Sequence, residues 1–182
     1  ISAVLGNDSL YGGKGKDDLH GNDGNDMMYG GADDDLMYGG SGSDYMQGDA
    51  GNDEIAGRNG VDLLVGGDGN DILTGGEDAA NDTLRGDAGN DLLQAGFGSD
   101  ELNGGAGADE LWGDLGADTF KFNSITDSTS LVRDTIFDFI HLTDKLNVAA
   151  LVLQGVASMA DLAITNDGVN TFVTANSVDF QV

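Results

Sequence analysis

The sequence predicts an all-β fold: a right-handed parallel β-roll of about six coils, with two facing sheets of short strands, capped by a β-rich C-terminal segment. Three observations lead to this prediction. An aspartate returns every nine residues, an apolar residue follows each aspartate two positions later, and glycine dominates the stretches between them. Such a fixed short period indicates a solenoid. The aspartates, with one longer step before Asp82, are Asp8, Asp17, Asp26, Asp35, Asp44, Asp53, Asp62, Asp71, Asp82, Asp91, Asp100, Asp109 and Asp118.

Each repeat reads G-G-x-G-x-D-x-U-x, in which U is apolar, as in residues 66–74 and 104–112. The first six residues predict a turn, because glycine permits positive φ and close approach of neighbouring chains. The last three predict a very short strand with the U side chain pointing inward. Because one unit cannot bury its single apolar residue, two units per coil would give all U residues a common core. These residues are Leu10, Leu19, Met28, Met37, Met46, Ile55, Leu64, Leu73, Leu84, Leu93, Leu102, Leu111 and Phe120.

Composition divides the chain near Phe122. Residues 1–121 hold 29 of the 31 glycines and 26 of the 33 acidic residues, whereas the remainder reads as ordinary globular sequence. The prediction is therefore a repeat roll over residues 3–121 and a C-terminal capping segment over residues 122–182.

The formal net charge of −26 argues against nucleic acid and anionic membrane surfaces as partners. No cysteine is present, which excludes disulfides and zinc–thiolate sites. No apolar run approaches the roughly 18 residues that cross a bilayer, so no membrane insertion is expected. The chain starts at Ile1 without an N-terminal export signal, which we interpret as a fragment of a longer protein. Motifs such as H-E-x-x-H or G-x-S-x-G do not occur, so we expect no catalysis.

Stacked rows of carboxylates require a cation. Loops two units apart lie on the same edge of the predicted roll, so the aspartates align in two rows. A flexible set of oxygen ligands favours Ca²⁺ over Mg²⁺ or transition metals. Thirteen loops leave at most eleven intervening sites, and eleven Ca²⁺ ions would reduce the formal charge from −26 to −4.

The repeat resembles the RTX nonapeptide, the calcium-binding β-roll of toxins and enzymes exported by type I secretion systems. The resemblance covers residues 3–121 and implies that each Ca²⁺ lies between two loops on one edge. One loop would supply its second and fourth carbonyls and its aspartate, and the next its first and third carbonyls and its aspartate. One such site would combine Gly13, Gly15 and Asp17 with Gly30, Ala32 and Asp35; another would combine Gly67, Gly69 and Asp71 with the loop of Asp87. The implied metal ligands are Asp17, Asp26, Asp35, Asp44, Asp53, Asp62, Asp71, Asp82, Asp91, Asp100, Asp109, Asp118, Gly13, Gly15, Gly30, Ala32, Gly67, Gly69, Gly105 and Gly107.

Four loops depart from the pattern. Residues 3–8 lack the leading glycines, so the loop of Asp8 is expected to be frayed. Asp33 replaces a fourth-position glycine, which is tolerable because aspartate can adopt the left-handed conformation. Ala95 replaces a first-position glycine. The loop that ends at Asp82 is two residues too long, and we expect it to bulge and to weaken or rearrange the calcium sites beside it.

The tail is similar to the segment that closes serralysin metalloproteases, some type I-secreted lipases and the regulatory modules of mannuronan epimerases. The resemblance rests on residues 117–122, 134–139 and 144–148. Apolar residues there would cap the last coil, as solenoids require; they are Ile136, Phe137, Phe139, Leu162, Ile164, Phe172 and Val173. Residues 179–182 resemble an uncleaved export signal. We interpret Asp134, Asp138 and Asp144 as solvated or capping residues in preference to a further metal site.

The resemblance implies a calcium-binding module of a larger, secreted bacterial protein, which folds on Ca²⁺ outside the cell. Its partners would be Ca²⁺, the type I secretion machinery and an upstream domain. The alternatives are an alginate- or glycan-binding regulatory module and a Ca²⁺-rigidified segment of a surface adhesin. Dispersal of the cations Lys14, Lys16, Arg58 and Arg85 does not favour the polysaccharide alternative.

The remaining side chains receive simpler interpretations. Aromatic residues recur at the ninth position of the repeat and predict outward ladders; they are Tyr11, Tyr29, Tyr38 and Trp112. His20 and His141 are lone histidines, for which surface or packing roles are expected.

Overall fold

The computed structural model describes residues 1–124, 134–140 and 143–147 in full, and the backbone of the strands at 162–166 and 171–175. Within these ranges the repeats wind between two sheets in which their strands pair in parallel, and no helix occurs. Six complete two-strand coils are present, which confirms the predicted all-β parallel roll. The described part therefore contains no helix with the length and apolar character needed to cross a bilayer.

The first sheet contains the strands that begin at every second repeat. In spatial order they are β1 (Ser9–Lys14), β3 (Met27–Ala32), β5 (Tyr45–Ala50), β7 (Leu63–Asp68), β9 (Thr83–Ala88), β11 (Glu101–Ala106), β14 (Thr119–Lys121) and β16 (Lys145–Asn147).

The second sheet contains the intervening strands. In spatial order they are β2 (Asp18–Asp23), β4 (Leu36–Ser41), β6 (Glu54–Asn59), β8 (Ile72–Gly76), β10 (Leu92–Gly98), β12 (Glu110–Trp112), β15 (Thr135–Ile136), β18 (Thr171–Ala175) and β17 (Leu162–Asn166). The short strand β13 (Leu115–Gly116) pairs with the end of β10. Pairing becomes antiparallel between β15 and β18 and between β18 and β17.

The register aligns each repeat with the repeat two units later. Leu10 pairs with Met28 across an offset of 18 residues, and Leu64 pairs with Leu84 after the longer unit. Each U side chain therefore lies directly above the U side chain two repeats earlier, because side chains of a strand alternate between its two faces. All thirteen U residues are buried, with an exposed fraction of 4% at Leu10 and 0% for the others. They form one continuous apolar core.

The tail extends the coil stack past Phe122. Strand β15 adds to β12 and β16 adds to β14, both in parallel register. Ile136 is buried, and Phe139 packs against the core above Phe120. The side chains of Leu162, Ile164, Phe172 and Val173, the residue His141 and the segment 179–182 lie outside the described residues.

Tight turns place several residues at positive φ. Asp33 has φ of 76°, as the sequence predicts for its fourth position. Residues that replace glycine at the second position also adopt the left-handed conformation, and among them Arg58 has the largest φ, at 85°. Aspartate and asparagine accept this conformation at lower cost than arginine does.

Candidate metal centre

The aspartates form one ladder along each edge of the roll. Turns stack because the strands on either side are held in register, so each aspartate lies above the one two repeats earlier. In every step, the backbone N–H of one aspartate donates to Oδ1 of the next, over 2.7–3.1 Å. One ladder contains Asp8, Asp26, Asp44, Asp62, Asp82, Asp100, Asp118 and Asp144. The other contains Asp17, Asp35, Asp53, Asp71, Asp91, Asp109 and Asp134.

These carboxylates are buried. From Asp26 to Asp118 no ladder aspartate is more than 4% exposed. The second oxygen, Oδ2, is buried without a hydrogen bond in Asp17, Asp26, Asp35, Asp44, Asp53, Asp62, Asp71, Asp82, Asp91, Asp100 and Asp118. A buried anionic oxygen without a partner is strongly unfavourable, so rows of them call for a cation.

Burial also changes the protonation of the ladders. Removal from water raises the pKa of Asp62 and Asp91 to about 7, although the N–H that each accepts lowers the pKa. Neighbouring carboxylates add to the rise. The same balance raises the pKa to about 6 in Asp53, Asp71, Asp82, Asp100 and Asp118.

Backbone carbonyls face the gaps between stacked loops. Between the loops of Asp17 and Asp35, the Ala32 carbonyl accepts the N–H of Gly15 over 3.1 Å. The Gly30 carbonyl lies against Gly12, and the Gly13 carbonyl lies against Gly31, where a Cβ would overlap it. First- and third-position carbonyls of the upper loop thus face down, and second-position carbonyls of the lower loop face up. Most residues of the first predicted site therefore share one gap.

The second predicted site has the same arrangement. The N–H of Gly69 donates to the Ala88 carbonyl over 2.8 Å, and the Gly69 carbonyl lies against Gly89. The N–H of Asp71 donates to Oδ1 of Asp91 over 2.8 Å. The Gly86 carbonyl lies against Gly66 in the same gap, whereas the contact of Gly67 with the Asp49 carbonyl belongs to the gap below.

Gly105 and Gly107 belong to the next loop on this edge. They lie against the carbonyls of Asp87 and Gly89, respectively. An added Cβ at either glycine would overlap the carbonyl below it, so alanine at Gly105 or Gly107 would require the two loops to move apart.

The donor set suits a hard cation. Within the described ranges no three carboxylate or imidazole side chains converge closely enough to hold a metal by themselves. A site must therefore combine carboxylates with backbone carbonyls, and such mixed oxygen ligation is typical of Ca²⁺. The unpaired Oδ2 atoms and the facing carbonyls together meet this requirement.

The longer unit keeps Asp82 in its ladder. The N–H of Asp62 donates to Oδ1 of Asp82 over 2.9 Å, and the N–H of Asp82 donates to Oδ1 of Asp100 over 2.7 Å. The extra residues lie after Gly76, and the Ala80 carbonyl again faces the fourth-position glycine of the next loop. Residues 77–79 thus replace a single third-position residue.

Two tail aspartates extend the ladders, a role that sequence reasoning missed. Asp134 is 1% exposed and accepts the N–H of Asp109, so it is not solvated. Asp144 accepts the N–H groups of Asp118 and Ile140 with its two oxygens, which closes its own turn. Asp138 accepts the N–H groups of Gly113 and Asp114. Their sequence spacing gave no nine-residue signal.

A further ladder was also missed. The fifth-position side chain of one loop accepts the backbone N–H of the fifth residue in the next loop. Examples are Asn52 Oδ1 with the N–H of Asn70, and Asn70 Oδ1 with the N–H of Asn90, over 2.9 and 2.8 Å. The recurrence of asparagine before the aspartate was the available signal.

Outward side chains pair locally. Tyr11 stacks on Tyr29 with ring centroids 5.2 Å apart, and Trp112 stacks on Phe137 at 4.3 Å. His20 Nε2 lies 2.6 Å from Asp18 Oδ1, and the imidazole ring lies beside the Tyr38 ring with centroids 5.1 Å apart.

Among the dispersed cations Lys14, Lys16, Arg58 and Arg85, three have partners of their own. Lys16 pairs with Asp34 and Arg85 with Asp87, while the Arg58 guanidinium lies 4.5 Å from the centroid of the Tyr38 ring. This pairing does not favour a polyanion-binding stripe.

A family model described as the RTX calcium-binding nonapeptide repeat (4 copies) matches residues 2–37, 20–55, 38–73, 56–93, 78–109 and 85–120. Together these matches span residues 2–120, which contain all thirteen repeats. A search of curated proteins found no match to the chain.

Proposed function

The chain belongs to the RTX calcium-binding nonapeptide repeat family, and from this premise we propose that its two aspartate ladders bind Ca²⁺ in rows and that this binding drives folding. The observation that carries the proposal is the row of buried, unpaired Oδ2 atoms along each edge. Bound Ca²⁺ supplies positive charge to these oxygens. Because a metal that binds only the folded state stabilises it, binding and folding become one event.

The proposed ligands are the ladder aspartates and the carbonyls that face them. In the first gap these are Gly13, Gly15 and Asp17 of the lower loop with Gly30, Ala32 and Asp35 of the upper loop. Up to about eleven ions would be held in this way between Asp8 and Asp118. The described loops contribute backbone orientation and exclusion of water, and their N–H groups fix each Oδ1 so that Oδ2 is available to the metal.

We further propose that the module serves a larger extracellular protein of a bacterium. At low cytosolic Ca²⁺ the charge of −26 opposes compaction, so the chain stays threadable through a type I secretion channel. Extracellular modules bind Ca²⁺ with Kd values of ~10⁻⁴–10⁻³ M. At Ca²⁺ concentrations of that order outside the cell, the chain folds and supports the folding of its upstream partner. Residues 3–121 would provide the calcium-binding roll, and residues 122–182 the cap and export signal. The module itself would have no catalytic role.

Far-UV circular dichroism during a Ca²⁺ titration at pH 7.5 tests the folding step. The chain should be largely unstructured in EGTA and should become β-rich as Ca²⁺ rises into the millimolar range. Mg²⁺ at equal concentration is the control and should produce little β structure, because it demands octahedral geometry and keeps its waters. A chain that is already β-rich in EGTA at this pH would refute the proposal.

Export needs its own experiment. The chain would be expressed in cells that carry a type I exporter, alongside a version truncated after Val178. Secretion of the full chain and retention of the truncated chain would support the export signal. Equal secretion of both would contradict it without affecting the calcium proposal.

A further inference from the structure

The longer unit places a carboxylate where other loops on the same edge present a backbone carbonyl. In the loops below it, the fourth-position N–H donates to the third-position carbonyl of the next loop, as from Gly24 to Ser41 over 2.8 Å and from Gly42 to Asn59 over 2.9 Å. At the next step the N–H of Gly60 donates to Oδ2 of Asp78 over 2.9 Å. The side chain of Asp78 thus takes the position of a carbonyl that would otherwise face the metal gap.

The other oxygen of Asp78 is left without a partner. Oδ1 is buried and accepts no hydrogen bond, although the residue as a whole is only half-buried. On the two sides of the same gap, Asp62 and Asp82 are each 2% exposed and have an unpaired, buried Oδ2. The Arg58 carbonyl also faces this gap, because it lies against Gly76 of the loop above.

Asp78 is within electrostatic reach of its ladder. Its negative charge contributes to the raised pKa of Asp62, Asp82 and Asp100. These three aspartates already crowd one edge, so a further carboxylate there is unfavourable unless a cation compensates it.

We propose that Asp78 is an additional metal ligand, with which the two-residue insertion turns one regular gap of the ladder into a more negatively charged cation site. The inference rests on the proposed function, since it assumes that the gaps hold Ca²⁺. Arg58 and Gly60 would supply carbonyls from the lower loop, and Asp78 would replace a neutral carbonyl of the upper loop. Because ligand charge tunes Ca²⁺ affinity, this gap binds Ca²⁺ more tightly than the regular gaps.

A structural role alone would have a different signature. If Asp78 served only to accept the N–H of Gly60, Asp78→Asn would preserve that role, because the amide oxygen can accept the same hydrogen bond. Loss of the negative charge, by contrast, would weaken a bound cation. Asp78→Glu retains the charge and serves as the conservative variant.

The matched control is Asp68→Asn. Asp68 occupies the third position of a regular loop, where its own carbonyl accepts the N–H of Gly51 over 2.9 Å and its side chain is exposed. Its charge contributes to the raised pKa of Asp71, so this control also reproduces the loss of a charge near a ladder.

The experiment is native mass spectrometry of Ca²⁺-loaded chains under increasing concentrations of a competing chelator. Wild type should retain one ion at chelator concentrations that remove the others. We expect Asp78→Asn to weaken that ion about tenfold or more, and Asp68→Asn and Asp78→Glu to retain it. Equal retention in Asp78→Asn and Asp68→Asn would overturn the inference.

Two outcomes separate this inference from the proposed function. A wild-type chain that binds no Ca²⁺ would refute both proposals. If every variant binds the same number of Ca²⁺ ions as the wild type with the same affinities, only the role of Asp78 is refuted. If Asp78→Asn does not fold in saturating Ca²⁺, a crystal structure of the Ca²⁺-loaded wild type decides. An ion within about 2.3–2.6 Å of an Asp78 oxygen supports the role, and its absence there overturns it.

Discussion

Lowering the pH should allow the roll to fold without Ca²⁺, because protons would neutralise the buried aspartates of the ladders. Burial raises the pKa of Asp62 and Asp91 from 3.8 to about 7, and that of five further ladder aspartates to about 6. Between pH 4 and pH 7 the folded chain without metal therefore binds more protons than the unfolded chain. The stability that protonation confers is fully present below the unfolded pKa and is lost as the pH rises through about 6 to 7.

The magnitude is large enough to decide whether the chain folds. A rise of about three pKa units corresponds to roughly 4 kcal/mol per group, which we halve to about 2 kcal/mol for solvent screening. With about 1.5 kcal/mol for each group near pKa 6, the seven aspartates together lose on the order of 10 kcal/mol between pH 4 and pH 7. That loss is comparable to the entire stability of a typical domain.

The assay is far-UV circular dichroism in EGTA as the pH falls from 7.5 to 5. We expect β structure to increase without any metal, and to disappear again when the pH is returned to 7.5. Light scattering is the control, because aggregation becomes more favourable as the pH approaches the sequence pI of about 4.1. A spectrum that does not change between pH 7.5 and 5, or β structure that increases with pH, would refute the reasoning.

Four further substitutions test the packing, and the cost of each is measured by urea unfolding in saturating Ca²⁺. Gly15→Ala should cost roughly 1 kcal/mol because of its positive φ alone, since nothing lies within 4 Å of an added Cβ. Gly69→Ala should cost at least ~2 kcal/mol more, because its Cβ would overlap the Gly51 carbonyl; equal costs would contradict the stacking. Leu73→Ala should cost about 2–5 kcal/mol from a fully buried position, and a loss below about 1 kcal/mol would show that the core relaxes around it. Phe137→Ala should shift the Trp112 fluorescence and cost about 0.5–1.5 kcal/mol through loss of their stack, whereas an unchanged spectrum would place the tail elsewhere.

The sheets and the core could be predicted because one signal specifies both. A period of nine with one apolar residue per unit leaves a single way to bury Leu64 beside Leu84, namely parallel strands in matching register. The same register dictates which loops stack, so the two rows of aspartates follow from the period alone. Local substitutions could also be predicted where the residue type has a known conformational preference, as at Asp33.

The rest of the site depended on long-range geometry that no period encodes. Asp134 and Asp144 lie 25 and 26 residues after the aspartates they stack on, whereas the other ladder steps span 18 or 20 residues. Asp78 takes its position only because the extra residues form a turn that directs a side chain toward Gly60. The spacing of neither set repeats, so only the folded chain brings these carboxylates to the ladders.

Many ladder aspartates use their two oxygens differently, which explains why the ladder can be both a scaffold and a metal site. Oδ1 accepts a backbone N–H from the loop below, which ties adjacent coils together and fixes the carboxylate plane. In Asp53, for example, Oδ1 accepts the N–H of Asp35 over 2.7 Å, while Oδ2 has no partner. The hydrogen bond alone does not compensate for burial, since the pKa of Asp53 still rises to about 6. A proton or a cation must therefore compensate such a buried oxygen, and at neutral pH Ca²⁺ is the ion that fits oxygen ligands of this kind.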